Sequence, residues 1–193
     1  MEYISEEISE EIIKHAKLNR QNMEAALQVG LVFGELRETL IRDFANYFKE
    51  CCAETSLSTI DVSGWRDRPT GTWTGMSYKE DNWLPHCMIK VEAQIGGIKQ
   101  FIFGIHTGDP NARDHIDESH KEKIYETLNN ECGQGQQDDY WAWYQNVDDN
   151  YRNFNNFDTL IKLYDKSKMA EYYLEKLSGL KDAIEKKLLL ALE

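Results

Sequence analysis

The sequence is poor in basic residues and has no long apolar run. It contains 22 Lys and Arg against 34 Asp and Glu, which gives a formal net charge of -12. Such a charge repels nucleic acid and anionic membranes at long range, so nucleic-acid binding would require a local basic patch. No stretch reaches the roughly eighteen apolar residues of a membrane span, and the first residues, MEYISEEISEEII, are acidic where a signal peptide is basic. These absences predict a cytoplasmic protein without membrane contact.

Cysteine motifs are also missing. Cys51, Cys52, Cys87 and Cys132 show neither CxxC spacing nor the density of a disulfide-rich secreted domain. We therefore expect reduced, mostly buried thiols. A chain of this length can build a core without disulfides or structural metals, so we predict a single α+β domain over residues 1–193.

Residues 5–52 form a predicted helical arm, because apolar residues recur there at spacings of three to five. A break around Leu18–Arg20 predicts a short helix followed by a long one. Within the long helix, Gly30 and Gly34 each cost up to about 1 kcal/mol relative to Ala. That cost predicts close packing on their face, with the sheet as the partner.

Residues 57–106 predict an antiparallel β-meander. Four segments rich in β-branched and aromatic residues carry this prediction, namely LSTIDVSGW, GTWTGMSYK, HCMIKVEAQI and IKQFIFGIH.

The Gly96-Gly97 pair between the last two segments has the composition of a two-residue hairpin turn. Such a turn pairs Val91 with Ile102 on one face and Glu92 with Phe101 on the other. The strand after the turn is apolar on both faces, which predicts a central place in the sheet.

Residues 116–191 are predicted to be helical and aromatic. A helix is expected over Asp117–Asn130, and the aromatic stretch Asp138–Phe157 is interpreted as an ordered connection. From Phe157 the chain is helical again, with an apolar stripe that indicates core packing. The predicted fold class is therefore α+β, with a long N-terminal helix, a β-meander of about four strands and C-terminal helices packed on the sheet.

Two carboxylates suggest a metal-dependent alternative. Asp61 lies in STIDVSG and Glu92 in VEAQ, and Lys90 and Gln94 share the predicted face of Glu92. This helix and strand order resembles the core of the PD-(D/E)XK nucleases, in which carboxylates on adjacent strands hold Mg²⁺ and a Lys activates water. Here Gln94 stands where the family has that Lys. A divergent Mg²⁺-dependent nuclease is therefore kept as an alternative function, and apart from it no cofactor is expected.

A second resemblance covers roughly residues 60–185. The segments that carry it are GTWTGMSY, FIFGIH, YWAWYQNVDDNYRNFNNF and LIKLYDKSKMAEYYLEKL. They resemble the C-terminal region of bacterial and phage proteins of the PD-(D/E)XK nuclease superfamily. Because these motifs are aromatic and lack the catalytic signature, the resemblance implies an accessory or recognition module.

Aromatic residues interleaved with arginine suggest a ligand surface. In GWRDRPTGTWTGMSYK two arginines lie among aromatic rings, as in surfaces that bind nucleic acid or other anions, although an internal salt-bridged loop is an alternative. The second aromatic group is interpreted either as a core clamp or as a ligand groove. The predicted ligand-binding residues are Trp65, Arg66, Arg68, Trp73, Tyr78, Trp141, Trp143 and Tyr144.

Metal ligation is not predicted. In the expected register Cys87 and His106 are neighbours across two strands, while His86 points to the opposite face, so only two ligands converge.

The preferred hypothesis is a non-enzymatic binding module whose partner is a macromolecule, either protein or nucleic acid, and homo-oligomerisation through the helices is compatible with it. A further alternative is an acidic protein-interaction or inhibitor protein, with carboxylates in EEISEEII and at Asp138, Asp139, Asp148 and Asp149.

Overall fold

A computed structural model describes residues 6–84, 86–94, 98–110 and 116–188 of the protein. The helices are α1 (Glu6–Ala16), α2 (Arg20–Cys52), α3 (Ser63–Asp67), α4 (Glu118–Cys132), α5 (Phe157–Asp165) and α6 (Ser167–Ala183), which continues into a π-helical segment at Ile184–Leu188. The strands are β1 (Gly75–Tyr78), β2 (Met88–Ala93), β3 (Phe101–His106) and β4 (Trp141–Asn146). The predicted α+β class is confirmed, with a long N-terminal helix, a four-stranded antiparallel sheet and C-terminal helices. The part of the chain described contains no helix long and apolar enough to cross a membrane.

The sheet has the strand order β1-β2-β3-β4, and each neighbouring pair is antiparallel. The predicted central place of β3 is thus confirmed. Side chains alternate between the two faces along each strand. One face joins the helical core through Met76, Ile89, Val91, Phe103, Ile105 and Trp143. We call the other face the open face, and it carries Lys90, Glu92, Ile102, Gly104, His106 and Tyr144.

An aromatic cluster forms the centre of the core. Trp65 on α3 packs against Phe44 of α2, Phe101 of β3, Phe154 and Tyr173 of α6, at ring-centroid distances of 5.6 to 5.8 Å. The cluster therefore ties the sheet to the N-terminal and C-terminal helices.

The helical predictions hold in their main points. α2 begins after the predicted break, where the side chain of Asn19 accepts a hydrogen bond from the Asn22 N–H. Asp117 caps α4 in the same way. In α6 the predicted stripe is buried at Met169, Tyr173, Leu177 and Leu180, which confirms its place in the core. The first residue of the predicted arm and the last three predicted for the C-terminal part lie outside the described residues.

The predicted first strand, LSTIDVSGW, is wrong. Only Asp61 forms a single β-bridge, with Ser77, and the chain then turns into α3. The turn follows from the Asp61 carboxylate, which accepts hydrogen bonds from the Ser63 N–H at 2.8 Å and the Ser63 hydroxyl at 2.9 Å. The fourth strand is instead β4, within the aromatic stretch that was predicted to be a connection.

The predicted β2–β3 register is wrong by one residue. Val91 lies opposite Phe103 and Glu92 opposite Ile102, while His106 lies opposite Met88 and not opposite Cys87. The connection is longer than two residues, because the last ladder pair is followed by a hydrogen bond from the Gln94 N–H to the Gln100 carbonyl at 2.9 Å. The Gly96-Gly97 turn itself lies outside the described residues.

The N-terminal half of α2 projects from the core. Residues 24–36 are all exposed, and the first fully buried residue of the helix is Ile41. A Cβ atom added at Gly30 or Gly34 would meet nothing within 4 Å, so the predicted packing of the sheet on these glycines is wrong. At 33 residues α2 is roughly 50 Å long, whereas a six-residue strand covers about 20 Å, so the sheet reaches only the C-terminal half of the helix. We call α1 together with residues 17–36 the arm.

Candidate functional site

An open cleft of about 590 Å³ lies on the open face of the sheet. Its polar floor comes from alternate residues of β2, and its aromatic walls come from the segments that precede β1 and begin β4. The lining residues are Trp73, Lys90, Glu92, Gln94, His106, Gly108, Asp109, Asp138, Tyr140 and Trp141.

Glu92 is the centre of the floor. Its carboxylate accepts hydrogen bonds from Lys90 Nζ and from Gln94 Nε2, the latter at 3.0 Å. The three side chains share one face because they alternate along the end of β2. The side chain of Glu92 is only 5% exposed, so this pair of donors holds a nearly buried carboxylate in one orientation.

The walls of the cleft are aromatic. Trp141 lies edge-on to the His106 ring, with ring centroids 5.1 Å apart, and Tyr140 stacks against the same ring at a centroid distance of 6.5 Å. Trp73 stands at the rim with 60% of its surface exposed. Its backbone has a φ of 60°, a left-handed conformation that side chains rarely adopt, and its N–H donates to the Ala93 carbonyl at 3.1 Å.

A β-bulge places the rings of Trp141 and Tyr144 on the same face of β4. Ile105 pairs with Trp143 and His106 with Trp141, so one residue of β4 is unmatched between these pairs. As a result Trp141 and Tyr144 lie on the same face, with ring centroids 6.0 Å apart, while Trp143 is directed into the core. The start of the strand is fixed by Asp138, whose carboxylate accepts from the Tyr140 and Trp141 N–H groups at 2.9 and 3.0 Å.

His106 is a neutral hydrogen-bonding group. Its Nδ1 accepts a hydrogen bond from the Gly108 N–H at 3.0 Å, which places the ring proton on Nε2. Burial, with a smaller contribution from the positive charge of Lys90, lowers the pKa of His106 to about 4. Gly108 has a φ of 83°, and a Cβ atom there would lie 2.8 Å from the Cβ of His86. A glycine is therefore needed at position 108, where the chain passes close to His86.

The structure brings together five of the twelve predicted site residues. Lys90, Glu92 and Gln94 meet Trp73 and Trp141 in the cleft, although the sequence assigned the two groups to different functions.

Tyr144 shares the open face but lies outside the lining of the cleft. Its hydroxyl is 3.1 Å from Gln136 Oε1, and it donates that hydrogen bond.

Three predicted ligand-binding residues belong to the core, so their assignment to a ligand surface is corrected. Trp65 and Trp143 are fully buried. Tyr78 is buried as well, and its hydroxyl donates to the Ser56 carbonyl at 2.9 Å while Lys181 Nζ donates to it at 2.7 Å. Aromatic residues suit both a core and a ligand site, so residue type alone did not separate them.

Arg66 and Arg68 are exposed and lie outside the cleft lining. Arg66 pairs with Asp67 at 2.9 Å, and this contact raises the pKa of Arg66 and lowers that of Asp67. The pair is exposed and lies within α3, so it is a surface ion pair between adjacent residues and not the internal salt-bridged loop of the sequence alternative.

Asp61 and Glu92 do not lie on neighbouring strands. The Asp61 bridge is to Ser77 of β1, and β1 in turn pairs with β2, so one strand separates the two carboxylates. Across the described ranges, no group of three or more His, Cys, Asp or Glu side chains is arranged to hold a metal ion.

Sequence reasoning missed His106, Tyr140 and Asp138 as parts of this site. His106 was considered only as a partner of Cys87, and Asp138 only as part of an acidic surface. The signal for Asp138 was local, since an Asp two residues before Tyr140 can turn the chain through its side chain. The pairing of β4 with β3 had no local signal, because about 35 residues separate the two strands.

The comparisons with known proteins give no relative. No family model matches the chain, and neither the curated proteins nor the solved structures include a match.

Proposed function

We propose that the protein is a non-enzymatic binding module that takes an arginine side chain of a protein partner into the open-face cleft. The observation that carries the proposal is the combination of half-exposed aromatic rings at the rim, Trp73 and Tyr140, with a fixed carboxylate on the floor. A guanidinium is flat and cationic, so it can stack on the rings and donate hydrogen bonds to carboxylate oxygens.

The charge of the lining supports a cationic ligand. Among the described residues that line the cleft, Lys90 is the one cation, against the three carboxylates of Glu92, Asp109 and Asp138. Because the whole chain is acidic as well, a phosphate group entering the cleft would be repelled, whereas a guanidinium would be attracted. The neutral state of His106 adds no opposing charge.

The rigidity of the floor supports binding. Glu92 is already held by Lys90 and Gln94, so a ligand meets an acceptor that needs no reordering. Pre-organisation of this kind lowers the entropy cost of association. The left-handed backbone of Trp73 serves the same purpose, because it holds a large apolar ring at the rim.

Indole N–H resonances give a direct test. The chain has five tryptophans, and two of them, Trp73 and Trp141, line the cleft. Titration with the peptide acetyl-Gly-Ser-Arg-Ser-Gly-amide should shift these two indole signals and leave those of the buried Trp65 and Trp143 in place. The same peptide with citrulline, which is equally flat but uncharged, should bind at least ten-fold more weakly.

Variants locate the site. Trp73→Ala should abolish the titration, while Tyr164→Ala, which removes an equally exposed ring on α5, should leave it unchanged. Equal affinity for the arginine and citrulline peptides would refute the cationic assignment. Absence of any shift at Trp73 and Trp141 would refute the cleft as a binding site.

A nucleic-acid-associated module is a second candidate, supported by the arginines outside the cleft. Arg42 Nε donates to the Arg66 carbonyl at 3.2 Å, so three arginines, with Arg68, lie near one another on the surface. In this alternative, labelled single- or double-stranded DNA or RNA is retained by the wild type, and Arg66→Ala with Arg68→Ala abolishes retention. Retention unchanged in the double variant contradicts it.

The same nucleic-acid samples test the nuclease alternative. A Mg²⁺-dependent enzyme that uses Asp61 and Glu92 should cleave in Mg²⁺ or Mn²⁺ and lose the activity in Glu92→Ala. Cleavage that persists in Glu92→Ala would come from a contaminant and would contradict this alternative.

A further inference from the structure

The open-face cleft has two chemically different ends. His106 lies opposite Met88, and Glu92 lies four residues further along β2, so about 13 Å of strand separates their levels in the sheet. Side chains stand roughly perpendicular to a sheet, so the imidazole and the carboxylate are expected a similar distance apart. Trp73 belongs to the Glu92 end, because its N–H donates to the carbonyl of Ala93. A ligand that fills the cleft therefore meets a carboxylate at one end and an imidazole at the other.

The rings of Tyr140 and Trp141 belong to the His106 end. Both contact the imidazole, with ring centroids 6.5 and 5.1 Å from its own. The indole of Trp141 thus reports on the imidazole end of the cleft, and that of Trp73 reports on the carboxylate end.

The imidazole of His106 offers a hydrogen-bond donor to the cleft. Its Nδ1 accepts from the Gly108 N–H, which leaves the ring proton on Nε2, on another side of the ring. Within the described part of the chain no acceptor is hydrogen-bonded to Nε2. Among the described residues, the side-chain nitrogens that are buried without a partner are Arg37 Nε, Trp65 Nε1 and Trp83 Nε1, and Nε2 of His106 is not one of them. It is therefore open to a ligand that lies in the cleft.

An arginine residue has the length to join the two ends. From guanidinium to main-chain carbonyl an extended arginine measures roughly 8 Å, and a hydrogen bond of about 2.9 Å at each end brings the span to about 14 Å. This span is comparable with the distance between the levels of His106 and Glu92. The guanidinium suits the Glu92 end, where the carboxylate attracts it and the ring of Trp73 can stack on it. The carbonyl suits the His106 end, where a neutral donor meets it.

We propose that the cleft binds arginine in one orientation, with the guanidinium on Glu92 beside Trp73 and a main-chain carbonyl accepting the Nε2–H of His106. His106 then makes the site specific for arginine within a peptide chain, because a free guanidinium cation has no acceptor for the imidazole. This inference rests on the proposed binding of arginine in the cleft, but its test has a different readout.

Two ligands of the same charge that differ only in the main chain test the orientation. Propylguanidinium is the arginine side chain alone, and acetyl-arginine methylamide adds one residue of main chain. In NMR titrations, propylguanidinium should shift the indole N–H signal of Trp73 and leave that of Trp141 almost in place. The methylamide should shift both signals and bind the wild type about three- to ten-fold more tightly, which is the contribution of one hydrogen bond.

Two substitutions isolate the Nε2 donor. His106→Phe keeps a flat ring without a donor, whereas His106→Gln loses the ring but keeps an N–H group at similar reach. Neither keeps Nδ1, so a disturbance of the loop at Gly108 would affect both variants. His106→Phe should bind the two ligands with similar affinity, while His106→Gln should retain most of the preference for the methylamide.

The matched control is His120→Phe, which makes the same change outside the lining of the cleft and should keep the preference. Urea unfolding checks that each variant is folded.

Three results would overturn the inference while the cleft remains an arginine site. The wild type binds the two ligands equally, the preference persists in His106→Phe, or it is lost equally in His106→Gln. If neither ligand shifts the signals of Trp73 and Trp141, the proposed function itself fails, and the orientation fails with it.

Discussion

The Lys90–Glu92 pair offers a quantitative test of the floor of the cleft. The two side chains are 21% and 5% exposed, so the change Lys90→Met leaves a nearly buried carboxylate with Gln94 as its remaining donor at 3.0 Å. Breaking a buried ion pair by removing one partner costs about 3–5 kcal/mol. Because the Lys90 side chain keeps some contact with water, we expect about 3 kcal/mol less free energy of unfolding.

The double variant Lys90→Met with Glu92→Met should recover most of that loss. Replacing a buried ion pair by apolar residues of similar size is often neutral, because the cost of removing two charges from water disappears together with their attraction. We expect the double variant to lie within about 1 kcal/mol of the wild type, which implies a coupling energy of at least about 2 kcal/mol if Glu92→Met alone is not stabilising. The recovered protein should still fail to bind the arginine peptide, since its carboxylate acceptor is gone.

Urea denaturation of the wild type, both single variants and the double variant, at pH 7 and constant m-value, measures this cycle. The matched control is Arg20→Met, which breaks an ion pair with Glu24 whose side chains are 92% and 55% exposed, and should change little. If Lys90→Met and Arg20→Met lower the free energy of unfolding by the same amount, the Glu92 carboxylate is solvated. That result would refute the reasoning about a buried carboxylate.

Two further changes test the sheet and the titration of the cleft. Gly104→Ala should destabilise the protein by more than about 3 kcal/mol or prevent folding, because the new Cβ would lie 2.1 Å from the Trp143 carbonyl oxygen. Gly179→Ala, at an open helical position, should instead stabilise the protein by about 0.5–1 kcal/mol. Thermal or urea unfolding of both variants measures the difference. The pKa of His106 is about 4 in the folded protein and about 6.5 in the unfolded chain. As the pH drops from 6.5 to 4, the unfolded chain therefore takes up the proton first. The free energy of unfolding then falls by up to about 1.4 kcal/mol per pH unit. The same fall in His106→Phe as in the wild type would contradict this assignment.

Local patterns predicted the helices other than α3 well. The break before α2 is visible in the sequence because Asn19 is a capping residue, and the start of α4 because Asp117 is another. The buried stripe of α6 follows from its spacing of three and four. In each of these cases the signal lies within a few residues of the feature.

The sheet was predicted less well because strand pairing depends on contacts between residues that are far apart in the sequence. LSTIDVSGW has the composition of a strand, but the side chain of Asp61 bends the chain into α3. WAWYQN of β4 lies among Asn and Asp residues that favour turns, and only its pairing with β3 makes it a strand. Register depends on the length of the connection, and a slip of one residue moved Phe101 from the face of Glu92 into the core.

The cleft was predicted only in pieces for the same reason. Glu92 and Lys90 were identified from β2 alone, and Trp73 and Trp141 from their aromatic surroundings. These residues come together because of the β-bulge at Ile105 and His106, and the composition of the sequence does not predict that bulge.

The two single β-bridges at the margins of the sheet have a consequence for aggregation. Asp61 covers part of the outer side of β1, and Gln136 covers part of the outer side of β4 through its bridge to Tyr144. Unpaired outer strands are templates on which foreign strands add, in domain swapping and in fibre growth. With each margin partly occupied by the chain itself, strand addition at either edge of the sheet is disfavoured.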